Sequence, residues 1–65
     1  MKKEDAINAI YQGNLVECTK DEYDESLRTA IQTQAGKWID DGNHVRSIIA
    51  LLEIKRLDEK FQSNG

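Results

Sequence analysis

The sequence predicts an all-α protein in which a short N-terminal helix precedes an antiparallel helical hairpin, completed by self-association of the chain. Three observations lead to this fold class. Apolar residues recur at helical spacing in three segments, a capping box opens the second segment, and a glycine follows each of the first two. No segment alternates in the way that a β-strand requires. The 65 residues are predicted to form a single small helical domain, 1–65, with a frayed tail at 62–65.

The first helix is predicted over residues 3–12. Its apolar residues, which recur at spacings of three and four, are Ala6, Ile7, Ile10 and Tyr11. Gly13 tolerates a left-handed backbone and is expected to end the helix. An extended link then follows, in which Leu15 or Val16 is expected to pack under the core.

The second helix has the clearest start signal in the sequence. Thr19-Lys20-Asp21-Glu22 matches a capping box, in which the first and last side chains each bond the other residue's backbone N–H. Gly42 is expected to end the helix, and the short connection predicts an antiparallel hairpin with the third helix. The predicted apolar stripe consists of Tyr23, Leu27, Ala30, Ile31, Ala35, Trp38 and Ile39.

The third helix, predicted over residues 44–61, carries apolar residues on two opposite arcs. The first arc contains Val45, Ile48, Ile49, Leu51 and Leu52. The second arc contains Ile54, Leu57 and Phe61. Because one antiparallel neighbour cannot cover both arcs, a second surface has to cover the other one. That surface is either the first helix or another copy of the chain.

We expect another copy to cover the second arc, with a dimer as the simplest assembly. The first helix is short, and the link after it also needs shelter. The competing interpretation is that Ile7, Ile10 and Tyr11 cover the arc within one chain. The predicted interface between copies consists of Ile54, Leu57, Phe61, Trp38 and Leu51.

The charge balance argues against nucleic acids and membranes as partners. The chain has 9 basic and 12 acidic side chains and a formal charge of −3, whereas both partners attract an excess of Lys and Arg. The longest uninterrupted apolar run, Ile48 to Leu52, is far shorter than the roughly 20 residues of a membrane span. We therefore expect a cytoplasmic protein that binds neither partner.

Neither a metal site nor a catalytic site is predicted. Cys18 is the only cysteine and His44 the only histidine, so a structural zinc site lacks ligands. The acidic run 17–25 lacks the glycine and the alternate ligand spacing of a calcium loop. Acidic neighbours of Cys18 raise the pKa of its thiol, and no nucleophile–base set can be assembled around His44. We expect no cofactor and no enzymatic activity.

One combination of aromatic and basic residues could hold a small ligand. Aromatic rings stack on nucleobases, and neighbouring cations neutralise phosphates. A nucleotide-binding protein with its site between subunits is therefore the alternative function. The candidate ligand-binding residues are Trp38, Lys37, Arg28 and Tyr23, although Trp38 shares the apolar stripe and is more typical of a core or interface anchor.

These observations predict a small non-enzymatic protein-interaction module that acts as an inhibitor or regulator of a partner protein of unknown identity. Small size, acidity and the lack of catalytic parts resemble the short inhibitors and adaptors that phages and other mobile elements encode. The predicted hairpin is similar in architecture to the plasmid RNA-binding Rop proteins. The heptads and basic face of that family are not visible here, so its function is not transferred to this chain.

Overall fold

The computed structural model describes residues 1–62, which form three α-helices: α1, Lys3–Tyr11; α2, Glu25–Asp40; and α3, His44–Gln62. No β-strand occurs in residues 1–62, and the predicted all-α class is confirmed. The predicted frayed tail overlaps α3 at Gln62, whereas its remaining part, 63–65, lies outside the described residues.

The first helix ends where the glycine stop predicts. Gly13 adopts a φ of +80°, which is unfavourable for residues with a side chain. Its N–H donates to the carbonyl oxygen of Ile10 at 2.9 Å, and the N–H of Asn14 donates to that of Ala9 at 2.8 Å. These bonds satisfy carbonyl groups that the helix end would otherwise leave free. The side chains of Ala6 and Ile10 are buried in the core.

The predicted capping box forms, but it does not open α2. The Thr19 N–H donates to Glu22 Oε1 at 2.8 Å, and the Glu22 N–H donates to Thr19 Oγ1 at 3.2 Å. These two bonds close an isolated turn. The helix begins at Glu25, where Asp24 Oδ1 accepts a hydrogen bond from the Leu27 N–H at 2.8 Å.

The predicted start of the second helix at Thr19 is therefore wrong. Asp24 is itself a favoured N-cap residue, so two capping signals compete within six residues. The later one prevails because Tyr23, which lies outside α2, turns towards α3. Its hydroxyl donates to Asp58 Oδ1 at 2.7 Å, and its ring packs on Phe61 with the centroids 5.7 Å apart.

A three-residue connection joins α2 to α3. Gly42 has a φ of +82°, as a helix stop requires, and the Asn43 N–H donates to the Trp38 carbonyl oxygen at 2.6 Å. Arg28 near the start of α2 bonds Asp58 near the end of α3, so the two helices are antiparallel. The predicted helical hairpin is present, with α1 packed against both of its helices.

The core lies between all three helices and the link after α1. Trp38 is buried in it, and the Tyr11 ring packs against the Trp38 ring with the centroids 5.6 Å apart. The guanidinium carbon of Arg46 lies 3.7 Å from the centroid of the Tyr11 ring. The buried apolar residues are Ala6, Ile10, Val16, Leu27, Ile31, Ala35, Trp38, Ala50, Ile54 and Leu57.

The structure corrects the prediction for the two arcs of α3. The second arc does not need another copy of the chain, because Ile54 and Leu57 are buried within one chain. Phe61 is half-buried against Tyr23. Ile54 and Leu57 belong to one core cluster with residues of α1, α2 and the link. The competing interpretation, cover within one chain, is therefore the better one: Ile10 and Ile7 belong to or pack against this cluster, whereas the Tyr11 ring packs on Trp38. The arc that stays exposed is the first one.

Candidate protein-interaction surface

Four large aliphatic side chains on α3 remain in contact with solvent. They project from one side of the helix within an arc of about 120°, given 100° per residue. We call this surface the apolar face of α3. It consists of Val45, Ile48, Leu51 and Leu52, whose exposed fractions are 69%, 55%, 44% and 60%.

The apolar face is left uncovered because a different stripe of α3 packs into the core. That stripe runs the whole length of the helix at spacings of three and four residues, and it consists of Ser47, Ala50, Ile54, Leu57 and Phe61. The apolar face covers only the N-terminal half of α3, since Lys55 and Glu59 continue it on the following turns. A helix as long as α2 therefore covers more surface when it packs against this continuous stripe than when it packs against the apolar face.

A shallow groove of about 240 Å³ borders the apolar face on the side of the link. Leu15 of the link lines it together with Ile49 and Leu52 of α3. Leu15 is largely exposed, so it extends the apolar surface beyond the helix. The surface is therefore a ridge with a groove beside it, which is a shape that suits an aliphatic side chain of another protein.

An ion pair between the partly exposed Arg56 and the buried Glu53 lies beside this groove and holds the link against α3. Arg56 Nη2 donates to the Val16 carbonyl oxygen at 2.8 Å, and Arg56 Nε donates to the buried carboxylate of Glu53. One guanidinium thus bonds both the helix and the link. This contact fixes the backbone next to Leu15, so the groove is preformed.

Charged side chains lie beyond both ends of the apolar face. Asp40 at the end of α2 and Asp41 in the turn before α3 are both exposed. Lys55 and Glu59 are exposed on the turns that follow Leu52. One end of the apolar face is therefore acidic and the other carries both signs of charge. This difference orients a partner that binds there.

Most of the residues predicted to form an interface are in the core instead. Ile54, Leu57 and Trp38 are buried, and Phe61 is half-buried. Of the five predicted interface residues, Leu51 alone belongs to the exposed apolar face. The pattern that identifies this face was visible in the sequence as the first arc of the third helix, but that arc was assigned to the hairpin.

The four predicted ligand-binding residues do not form one site. Trp38 is buried against Tyr11, whereas Lys37 is exposed on the next position of α2. Arg28 lies ten residues before Trp38, which is about 15 Å along the helix axis. Arg28 and Tyr23 do come together, but both bind Asp58 of the same chain. A nucleotide would have to displace that carboxylate.

The Tyr23–Arg28–Asp58 cluster joins the start of α2 to the end of α3. Arg28 Nε donates to Asp58 Oδ1 and Arg28 Nη2 donates to Asp58 Oδ2, both at 3.1 Å, which is a bidentate pair. The Arg28 hydrogen bond, supported by the one from Tyr23, lowers the pKa of Asp58. Burial, and then the hydrogen bond to Asp58, raises the pKa of Tyr23. Asp58 is thus kept charged and Tyr23 neutral.

We expect Asp58→Asn to lower the melting temperature by a few degrees at neutral pH and to have little effect in acid. Because folding lowers the pKa of Asp58, its contribution is present above the unfolded value of about 3.9 and is lost as the pH falls through the folded value. Thermal melts of the wild type and the variant from neutral to strongly acidic pH check this. Asp21→Asn, at an exposed position, is the control. A difference in melting temperature between Asp58→Asn and the wild type that stays constant with pH contradicts the expectation.

Cys18 lies in the link and is half-buried next to the core. Its burial raises the pKa of the thiol, although the charges of the N-terminus, Lys60 and Arg56 act in the opposite direction. A raised thiol pKa disfavours the reactive thiolate. Cys18 therefore packs beside the core as an unreactive thiol. The pKa of that thiol is raised by burial rather than by the neighbouring carboxylates that the sequence suggested.

No protein-family model matches the chain, and no curated protein and no solved structure shows significant similarity to it. Within residues 1–62, no helix combines the length and the apolar character that crossing a membrane requires. In the same part of the chain, no three His, Cys, Asp or Glu side chains are grouped closely enough to hold a metal ion.

Proposed function

We propose that this chain is a non-enzymatic protein-interaction module that regulates or inhibits a partner by binding through the apolar face of α3. One observation carries the proposal: Val45, Ile48, Leu51 and Leu52 remain exposed although the core is complete without them. Fully burying such a side chain is worth about 1.5–3 kcal/mol. Because only 44–69% of each of these side chains is exposed, covering all four contributes roughly half of that value for each, which favours association with another protein.

The perturbed titratable groups favour a binding role over a catalytic one. Arg28, Asp58 and Tyr23 owe their shifted pKa values mainly to one another and to burial, and Cys18 owes its shift to burial. These shifts follow from packing and ion pairing between α2, α3 and the link. Tyr23, Arg28 and Asp58 do line an open groove of about 260 Å³, but their polar atoms are bonded to one another, and no nucleophile–base pair lies in that groove.

Affinity capture from a lysate of the native host tests the proposed function. We expect immobilised wild-type protein to retain a host protein, and Ile48→Asp to reduce its recovery by at least about tenfold because a charge replaces a central apolar contact. Thr33→Asp introduces the same charge on the exposed far side of α2 and serves as the control. Equal recovery by all three proteins, or no specific recovery by the wild type, contradicts the proposal.

A further inference from the structure

We propose that the middle of the link, residues 15–22, is a strap that opens away from α3 while the three helices stay folded, and that the Arg56 guanidinium is the clamp that holds it closed. The strap lies between the turn that ends α1 and the N-cap of α2, and none of these eight positions is helical. The proposal does not rest on the proposed function, because the protein alone is enough to test it.

Few contacts hold the strap to the rest of the fold. Within residues 1–62, its backbone forms no hydrogen bond with the backbone of a helix, and the two capping-box bonds between Thr19 and Glu22 stay inside the strap. Val16 is fully buried and Cys18 is half-buried, whereas the other strap residues are exposed. A segment with so few buried side chains and backbone hydrogen bonds opens at a lower free energy than the helices around it.

The polar contact that ties the strap to α3 comes from Arg56. Its Nη2 donates to the Val16 carbonyl oxygen at 2.8 Å, while its Nε donates to Glu53, whose side chain is 4% exposed. Because Glu53 fixes the guanidinium on α3, the other branch of the fork is already aimed at the strap. A second ion pair on the strap, between Glu22 and the amino group of Met1, is partly exposed, and such pairs contribute little.

Both ends of the strap are fixed, so its middle can move without the helices. At one end, the Asn14 N–H donates to the Ala9 carbonyl oxygen at 2.8 Å, just after the turn at Gly13. At the other end, the Tyr23 hydroxyl donates to Asp58 Oδ1 at 2.7 Å. The strap therefore opens as a loop between two anchored points.

Opening of the strap changes the surface next to the apolar face of α3. Leu15 lines the groove of about 240 Å³ from the side of the link, so the groove is complete only while the strap is closed. Val16 leaves the core cluster in the same movement, and Cys18 becomes exposed. The strap is thus a conformational gate for the groove. A molecule that fills the groove favours the closed form, because it binds that form alone.

The rate at which iodoacetamide labels Cys18 measures the opening of the strap. We expect a rate that hardly changes at low urea concentrations, because local opening exposes little surface, whereas global unfolding depends steeply on urea. Arg56→Lys keeps a positive charge beside Glu53 but lacks the fork that also reaches the strap. It should accelerate labelling by about tenfold, because a hydrogen bond from a charged group is lost, and the helical signal in circular dichroism should be retained. Lys55→Gln, at an exposed position of α3, is the control and should leave the rate unchanged.

A double variant separates the clamp from the charge of Arg56. Glu53→Gln with Arg56→Gln removes the clamp without leaving a buried charge unpaired, and should accelerate labelling as Arg56→Lys does. The lost charge of Arg56 cannot cause this acceleration, because that charge lowers the pKa of the Cys18 thiol and its removal slows labelling. A labelling rate that follows global unfolding at every urea concentration overturns the strap, since the link then opens only with the whole fold. A rate that is independent of urea but unchanged in Arg56→Lys overturns the clamp, because Cys18 then reacts in the closed link.

Discussion

Leu57→Asp is expected to unfold the chain. Leu57 has an exposed fraction of 0% and belongs to the core cluster that the three helices and the link share. Truncating such a leucine to alanine already costs about 2–5 kcal/mol. Aspartate adds the cost of burying a charge without a partner. A single core in a chain of this size rarely supplies more than about 3–5 kcal/mol, so the native state should not remain populated.

The prediction is checked by far-ultraviolet circular dichroism at room temperature. We expect Leu57→Asp to lose most of the helical signal. Leu52→Asp is the matched control, because it places the same substitution five residues earlier on the same helix, at a position that is 60% exposed. Leu52→Asp should keep the helical signal. If Leu57 were instead an interface residue, as the sequence analysis predicted, Leu57→Asp would also keep it.

The secondary structure could largely be predicted because its signals are local. Gly13 and Gly42 both adopt the positive φ that a helix stop requires, and the helices end beside them. The start of α2 was misplaced because a capping box describes a local hydrogen-bond pattern, which an isolated turn at Thr19 satisfies equally well. The choice between that turn and Asp24 depends on the contact of Tyr23 with α3, which is remote in sequence.

The orientation of α3 was not predictable from large apolar residues alone. The helix packs through Ser47 and Ala50 in its N-terminal half, and neither residue stands out in a pattern of aliphatic side chains. Both are small and fully buried, and the larger Ile54 and Leu57 continue the same stripe towards the end of the helix. Spacings of three and four from residue 47 to residue 61 were the signal that could have identified it.

The candidate surface follows from that orientation. Once the stripe that begins with Ser47 and Ala50 faces the core, the apolar face must face solvent, because it lies on the opposite side of the helix. The sequence pattern shows that α3 has more apolar surface than one neighbour can cover. The excess lies on the first arc rather than the second, because Ile54 and Leu57 belong to the core cluster shared with α1, α2 and the link, and Phe61 packs on Tyr23.

The environment of Trp38 makes it the second residue whose loss should be decisive. Its side chain has an exposed fraction of 5%, which confirms the expectation that it is substantially buried. Its ring meets the Tyr11 ring at an interplanar angle of 58°, and Arg46 covers the Tyr11 ring at 3.7 Å from its centroid. Trp38 therefore links the end of α2 both to α1 and to the start of α3.

Trp38→Ala is expected to unfold most of the protein at room temperature. Truncating a buried aromatic side chain costs about 3–5 kcal/mol, and marginally stable domains of this kind have about 5 kcal/mol in total. Thermal melts followed by circular dichroism measure the effect, with Trp38→Phe as the control because it retains an aromatic ring in the same cavity. Trp38→Phe should fold with a lower melting temperature. A Trp38→Ala variant that melts like the wild type would contradict the core position of the ring and would revive its interpretation as a stacking platform for a ligand.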